Sequence, residues 1–248
     1  MILMAAVLLS ACHAKADTQT EAQAMAEYRA LTANITTQEQ LDHAVKRAYE
    51  LAKAHPASTL DCIILSDMHY YMSTAQKGEI VDLIPESLRQ KYPQMQGIIR
   101  AIEAERHTAV GCTYTDWSAA QPNGKPLKIS QLVGKTDYVL LDFWASWCGP
   151  CRASMPAMKE LYTSLPKGKL EILGINMDNK AENWTNAITN LGLPWRHISD
   201  LKKWSCECAK IYGVNSIPAT VLIDKKGKIV GRNLTADQVK SIISKKKK

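Results

Sequence analysis

The stretch Tyr138-Val139-Leu140-Leu141-Asp142-Phe143-Trp144-Ala145-Ser146-Trp147-Cys148-Gly149-Pro150-Cys151 decides the fold of this 248-residue chain. Tyr138 to Trp144 is a mostly apolar run with the length of a buried strand, and Ala145 and Ser146 bound it as loop residues. Arg152-Ala153-Ser154-Met155-Pro156-Ala157-Met158-Lys159-Glu160-Leu161 then reads as helix. Cys148 therefore falls at a helix N-terminus, where unpaired backbone N–H groups and the macrodipole favour a thiolate. Cys151 lies one turn further in, more buried, and in reach of a mixed disulfide on Cys148. Two thiols so arranged support thiol–disulfide exchange.

A Cys-x-x-Cys pair by itself also serves zinc ribbons and structural disulfides. A zinc site needs a second ligand pair of similar form, and Cys206-Glu207-Cys208 has the wrong spacing. The strand ahead of the motif, Trp147 in front of it and Gly149-Pro150 inside it favour the redox reading, with no metal.

From Asp142 to Arg152 the sequence resembles the active-site segment of thioredoxin-fold proteins, above all the membrane-tethered TlpA/ResA-like thiol–disulfide oxidoreductases. The resemblance continues in Gly134-Lys135, in Ser216-Ile217-Pro218-Ala219-Thr220, and in Val221 to Val230, which reads as a two-stranded hairpin. It spans roughly residues 109–244. It implies an α/β thioredoxin fold, a mixed sheet flanked by helices, and a redox-active Cys148–Cys151 disulfide with no further cofactor. Pro218 matches the cis-proline that the fold sets opposite the redox pair. Ile217 then offers its backbone to an extended substrate segment, beside Trp147, Gly149 and Pro150. Asp142 aligns with the buried aspartate behind the second cysteine; its implied role is to take the proton of Cys151, through water, with a pKa raised by its apolar strand.

One departure concerns Ser154, which stands where many TlpA/ResA-like proteins carry a glutamate three residues after the second cysteine. A serine supplies no titrating carboxylate, which weighs against cytochrome c maturation in particular. Strong oxidants of the fold stabilise their reduced thiolate with added positive groups, often a histidine between the cysteines. Gly149-Pro150 adds none, as in thioredoxin, and points to a reductase of protein disulfides supplied by a membrane electron donor.

Composition bounds the rest. Hydrophobic residues make up 46% of the chain, enough for a core, and the net charge is +7. Lys245 to Lys248 read as a solvated basic tail, and the remainder lacks the interleaved aromatic and basic residues of a nucleic-acid face. Met1 to Leu9 is apolar but too short to span a bilayer. It ends in Leu9-Ser10-Ala11-Cys12, which resembles the lipobox of bacterial lipoproteins and implies cleavage before Cys12 and lipidation of that cysteine. A plain cleaved signal peptide and a truncated anchor helix are the other readings. Any of these sends the mature protein to an oxidising compartment, here the periplasm-facing cell envelope. Cys62, Cys112, Cys206 and Cys208 remain, as two disulfides of undetermined pairing or as four free thiols.

The expected organisation is a signal peptide over residues 1–11, a helical appendage over 12–108, a thioredoxin-like domain over 109–244 and a tail over 245–248. In the appendage, Thr37-Gln38-Glu39-Gln40 forms a capping box ahead of Leu41, Ala44, Val45, Ala48 and Leu51 at helical spacing. Beyond it, Leu170 to Asn176 reads as a buried strand, Ala181 to Leu191 and Cys206 to Tyr212 as helices, and Thr235 opens a last helix. Two other functions stay open. A peroxiredoxin-type peroxidase wants Thr or Ser three residues before the reactive cysteine, where this chain has Ala145. A partner-binding module would use the helical half to grip another protein and keep the redox pair as an ancillary.

Overall fold

The computed structural model describes residues 20–245 apart from Gln94. Cys12 with its lipobox and Lys246 to Lys248 therefore lie outside the described residues. The chain forms two compact units that divide between Gln96 and Gly97.

The first unit is helical: α1 (Glu21–Thr32), α2 (Gln38–Ala54), α3 (Thr59–Met68), α4 (Thr74–Leu83) and α5 (Glu86–Lys91). The expected capping box is formed, with Thr37 Oγ1 accepting the Gln40 N–H at 3.2 Å and Gln40 Oε1 accepting the Thr37 N–H at 3.1 Å. On α2, Ala44, Ala48 and Leu51 are buried, while Leu41 and Val45 are half-buried at the edge of the same face. The apolar run Leu60 to Leu65 becomes α3, which buries Leu60, Cys62, Ile64, Leu65 and Met68 at the centre of the bundle. Arg47 joins α2 to α1 through Glu27, and the Tyr28 hydroxyl reaches Asp67 on α3 at 3.1 Å.

The division falls in the first turn of α6 (Met95–His107), the rest of which opens the second unit, followed by β1 (Ser118–Ala120), β2 (Pro126–Lys128), β3 (Tyr138–Trp144), α7 (Gly149–Ser164), β4 (Leu170–Asn176), α8 (Ala181–Leu191), β5 (Arg196–Ile198), α9 (Glu207–Ile211), β6 (Ala219–Asp224), β7 (Ile229–Arg232) and α10 (Ala236–Lys245). β1 and β2 form a small antiparallel pair. The main sheet runs β5-β4-β3-β6-β7, with β3, β4 and β5 parallel and β6 and β7 antiparallel to their neighbours. This is a mixed sheet flanked by helices. All seven residues of β3 are buried, as a central strand covered on both faces requires.

Two features tie α6 to this sheet, and the compact units divide at Gln96/Gly97 where the sequence sets its boundary at 108/109. The Arg232 guanidinium donates to the Thr108 carbonyl and hydroxyl at 2.8 and 2.7 Å and to the Tyr212 carbonyl at 2.6 Å. Gly213, at φ +62°, lies so close to α6 that a Cβ there would meet the Ala101 carbonyl at 2.5 Å and the Glu105 nitrogen at 2.6 Å. At the other end, Lys245 closes α10 rather than opening the tail.

Candidate active site

Because β3, β4 and β5 are parallel, their C-terminal ends share one edge of the sheet, and antiparallel β6 begins at that edge. Four connections meet there, and strand ends of this kind are where α/β sheets place their ligands. The redox segment follows β3, Asp178 follows β4, Asp200 to Cys206 follow β5, and Ile217-Pro218 precede β6.

Cys148 and Cys151 form a disulfide with a Cα–Cα distance of 5.3 Å. Cys148 is the N-cap of α7, and its Sγ accepts the Cys151 backbone N–H at 3.2 Å. Pro150 occupies the first turn of that helix, where its missing N–H costs nothing. The two sulfurs differ in access: Cys148 keeps 5% of its surface and Cys151 keeps none. Gly149 and Pro150 are exposed, and Trp147 stands out from the surface beside them. On the facing side the Ile217–Pro218 bond is cis, Pro218 is exposed, and the Ile217 carbonyl oxygen lies 3.8 Å from Cys148 Sγ.

Asp142 lies in the middle of β3, paired in register with Gly174 on β4 and Thr220 on β6. Its Oδ2 is buried without a hydrogen-bond partner among the described residues, and burial pushes its pKa up to about 7. It lines a cavity of about 230 Å³ with Ser154, Met158, Pro218, Thr220 and Asn233. Ser154 offers that cavity no acid, and its hydroxyl donates to the Cys151 carbonyl at 2.8 Å.

The structure adds residues that sequence reading passed over. The Asp178 carboxylate is fully buried and accepts the Ser146 N–H at 2.9 Å, the Ser146 hydroxyl at 2.6 Å and the Asn176 amide at 2.7 Å. It thereby fixes the loop that carries Trp147 and Cys148. The only signal in the sequence was a pair of polar residues, Asn176 and Asp178, just where a buried strand ends. Trp204 is the other addition, its ring centroid 6.1 Å from that of Trp147. Cys62, Cys112, Cys206 and Cys208 are all free thiols. Burial raises Cys206 to about 11 and holds Cys208 well above the usual thiol value, so neither competes with Cys148 as a nucleophile. Among the described residues no group of three or more His, Cys, Asp or Glu side chains is arranged to hold a metal ion.

The Redoxin family matches residues 109–246, more than half of the chain. The chain belongs to the Redoxin family. Within it, this Redoxin is 33% identical over 135 residues to the thiol-disulfide oxidoreductase ResA of Geobacillus thermodenitrificans, a match that covers 53% of this chain and 75% of the relative. A thiol-disulfide oxidoreductase structure from Bacteroides fragilis is 28% identical with a TM-score of 0.50, covering 54% of this chain and 98% of that one. A thioredoxin-like protein from Bacteroides caccae is similar in fold at a TM-score of 0.62 and 16% identity, over 84% of this chain and 80% of that one. This Redoxin is thus a TlpA/ResA-like thiol–disulfide oxidoreductase with a thioredoxin fold.

Proposed function

We propose that this chain is a lipid-anchored reductase of protein disulfides, facing the periplasm of a bacterial envelope. The observation that carries the reading is the asymmetry of the redox pair: Cys148 at the mouth of the site on a helix N-terminus and Cys151 sealed behind it, with the Asp142 carboxyl, pushed up to about 7 by burial, on the strand that leads into the redox segment.

In the reduced protein the Cys148 thiolate attacks one sulfur of a substrate disulfide. A mixed disulfide forms, and the first substrate thiolate leaves and takes up a proton. Ile217 pairs its backbone with the extended substrate segment and aligns the scissile bond with Cys148. Asp142 accepts the proton of Cys151 through water in the cavity, and the new thiolate attacks Cys148 Sγ. The second substrate thiolate leaves, and Cys148 and Cys151 are joined again. Two electrons have passed from the pair to the substrate, whose second thiolate takes the Cys151 proton from Asp142 and whose first takes a proton from solvent, and a membrane dithiol donor restores the pair.

Two further facts support parts of the reading. Gly149-Pro150 brings no cation to stabilise the reduced form, which favours a reducing potential. The lipid anchor is assigned to Cys12 because Leu9-Ser10-Ala11-Cys12 resembles a lipobox.

The test is trapping. With a disulfide-containing protein substrate, reduced Cys151→Ser accumulates a mixed disulfide through Cys148, seen by mass, and Cys148→Ser accumulates none. Turnover by Cys148→Ser refutes the mechanism. Labelling with radioactive palmitate that disappears in Cys12→Ala tests the anchor.

A further inference from the structure

We propose that the loop from Asp200 to Cys206 forms a second wall of the substrate site, where Trp204 and Lys203 select extended protein segments bearing a large apolar or aromatic side chain and an acidic side chain beside the target cysteine. This rests on the reductase reading above and goes beyond it by naming the class of substrate.

The loop leaves the same sheet edge as the redox segment, one strand beyond β4. Trp147 and Trp204 are each 45% exposed, with ring centroids 6.1 Å apart at 55°, and Lys203 Nζ sits 5.9 Å from the Trp147 centroid. Leu201 is exposed on the same loop. Two indoles in mutual contact, one of them adjacent in sequence to Cys148, make a continuous apolar face at the mouth of the site with a cation at its rim. Clustered exposed apolar side chains of this kind mark a binding surface rather than ordinary surface scatter.

The loop is also built to hold these side chains outward. Leu201 and Lys203 occupy the left-handed region at φ +57° and +53°, which non-glycine residues adopt only when the surroundings enforce it. Asp200 enforces it by accepting the backbone N–H groups of Lys202 at 3.1 Å and Glu207 at 3.0 Å. The Ser199 hydroxyl accepts the Leu201 N–H at 3.1 Å while donating to the Asn176 carbonyl at 2.9 Å. Buried Cys206 anchors the far end. A surface ordered in advance binds without the cost of ordering it on contact.

Charge then chooses the partner. The acids here are engaged internally: Asp200 in the loop holds backbone, and Glu207 at the start of α9 pairs with Lys210 at 3.0 Å. The cations Lys202 and Lys203 project from the loop, and Arg152 is exposed just after Cys151. A segment with an aromatic or aliphatic group over the indoles and a carboxylate towards the lysines matches both features.

The test uses the pre-reduced protein in single turnovers with matched peptides that each contain one internal disulfide, flanked by Phe and Glu, by Phe and Lys, or by two serines. Hydroxyethyl disulfide serves as a small reference. Wild type is expected to reduce the Phe/Glu peptide fastest. Trp204→Ala should lower the rate ratio of that peptide to hydroxyethyl disulfide about tenfold, and Trp204→Phe should restore most of it. Lys203→Asn, chosen because asparagine tolerates the left-handed region, should erase the Phe/Glu over Phe/Lys preference. Ratios that stay within twofold of wild type in Trp204→Ala and Lys203→Asn overturn the inference and leave the reductase reading intact. Failure of wild type to reduce any of the disulfides overturns both.

Discussion

The Asp178 carboxylate holds Ser146 with both oxygens, accepting its backbone N–H at 2.9 Å and its hydroxyl at 2.6 Å, two residues before Cys148. A buried charge with several good hydrogen bonds is costly to remove, because its donors stay behind without acceptors. Asp178→Ala is therefore expected to destabilise the oxidised protein by roughly 2–4 kcal/mol in urea unfolding, and Ser146→Ala, which keeps the N–H contact, by roughly 1–2 kcal/mol. An Asp178→Ala loss no larger than that of Ser146→Ala removes the anchoring role.

Asp142 should make stability fall with rising pH. In the unfolded chain its carboxyl ionises near the ordinary value, 3.8, whereas in the folded protein burial holds the proton up to about 7. The folded state thus binds more protons between those values, so the favourable contribution is complete below 3.8 and is lost as pH rises through 7. A shift of that size is worth on the order of 4 kcal/mol. Asp142→Asn is expected to be more stable than wild type at pH 8 and to reduce disulfides more slowly, with mixed disulfide on Cys148 persisting. Parallel pH–stability curves for the two proteins contradict the assignment.

Gly174 on β4 exists because of His197. A Cβ there would lie 2.1 Å from His197 Nδ1, and the imidazole is stacked edge-on against Trp144 at 5.4 Å. Gly174→Ala is expected to cost at least 2–3 kcal/mol from overpacking, and most of that loss should disappear in the background of His197→Ala, where the space exists. Additive losses in the double variant sink the explanation. His197 also opposes Asp142 in acid. Burial lowers its pKa to about 3, so the unfolded chain alone takes the proton below about 6.5 and stability falls with pH there.

The potential should respond to position 150. Pro150 is exposed in the first turn of α7, next to the Cys148 sulfur. A histidine there puts a cation near the thiolate and stabilises the reduced form. Pro150→His is expected to raise the reduction potential by roughly 30–60 mV, equivalent to about 1.4–2.8 kcal/mol. An unchanged or lower potential refutes the electrostatic reading of Gly149-Pro150.

Much of this was legible in the chain. The run Tyr138 to Trp144, the Cys148–Cys151 spacing and the Leu170 to Asn176 run identified the two central strands and α7, because long apolar segments followed by helix signals leave little choice. β1 and β5 were not seen, since strands of three residues carry no periodicity. The attachment of α6 to the second unit was not legible, because it depends on Gly213 and Arg232, far away in sequence. The same holds at the site. Asp142 stands out as an acid inside an apolar run, whereas Asp178 and Trp204 gain meaning only when parallel strands bring three loops to one edge.

The most direct test of the central claim is the reduction potential of the Cys148–Cys151 pair, equilibrated in graded thiol buffers and quantified by mass after alkylation. The account predicts a value near that of thioredoxin, about −270 mV. A value near −120 mV, that of a strong oxidant of the same fold, would contradict it and reverse the direction of electron flow.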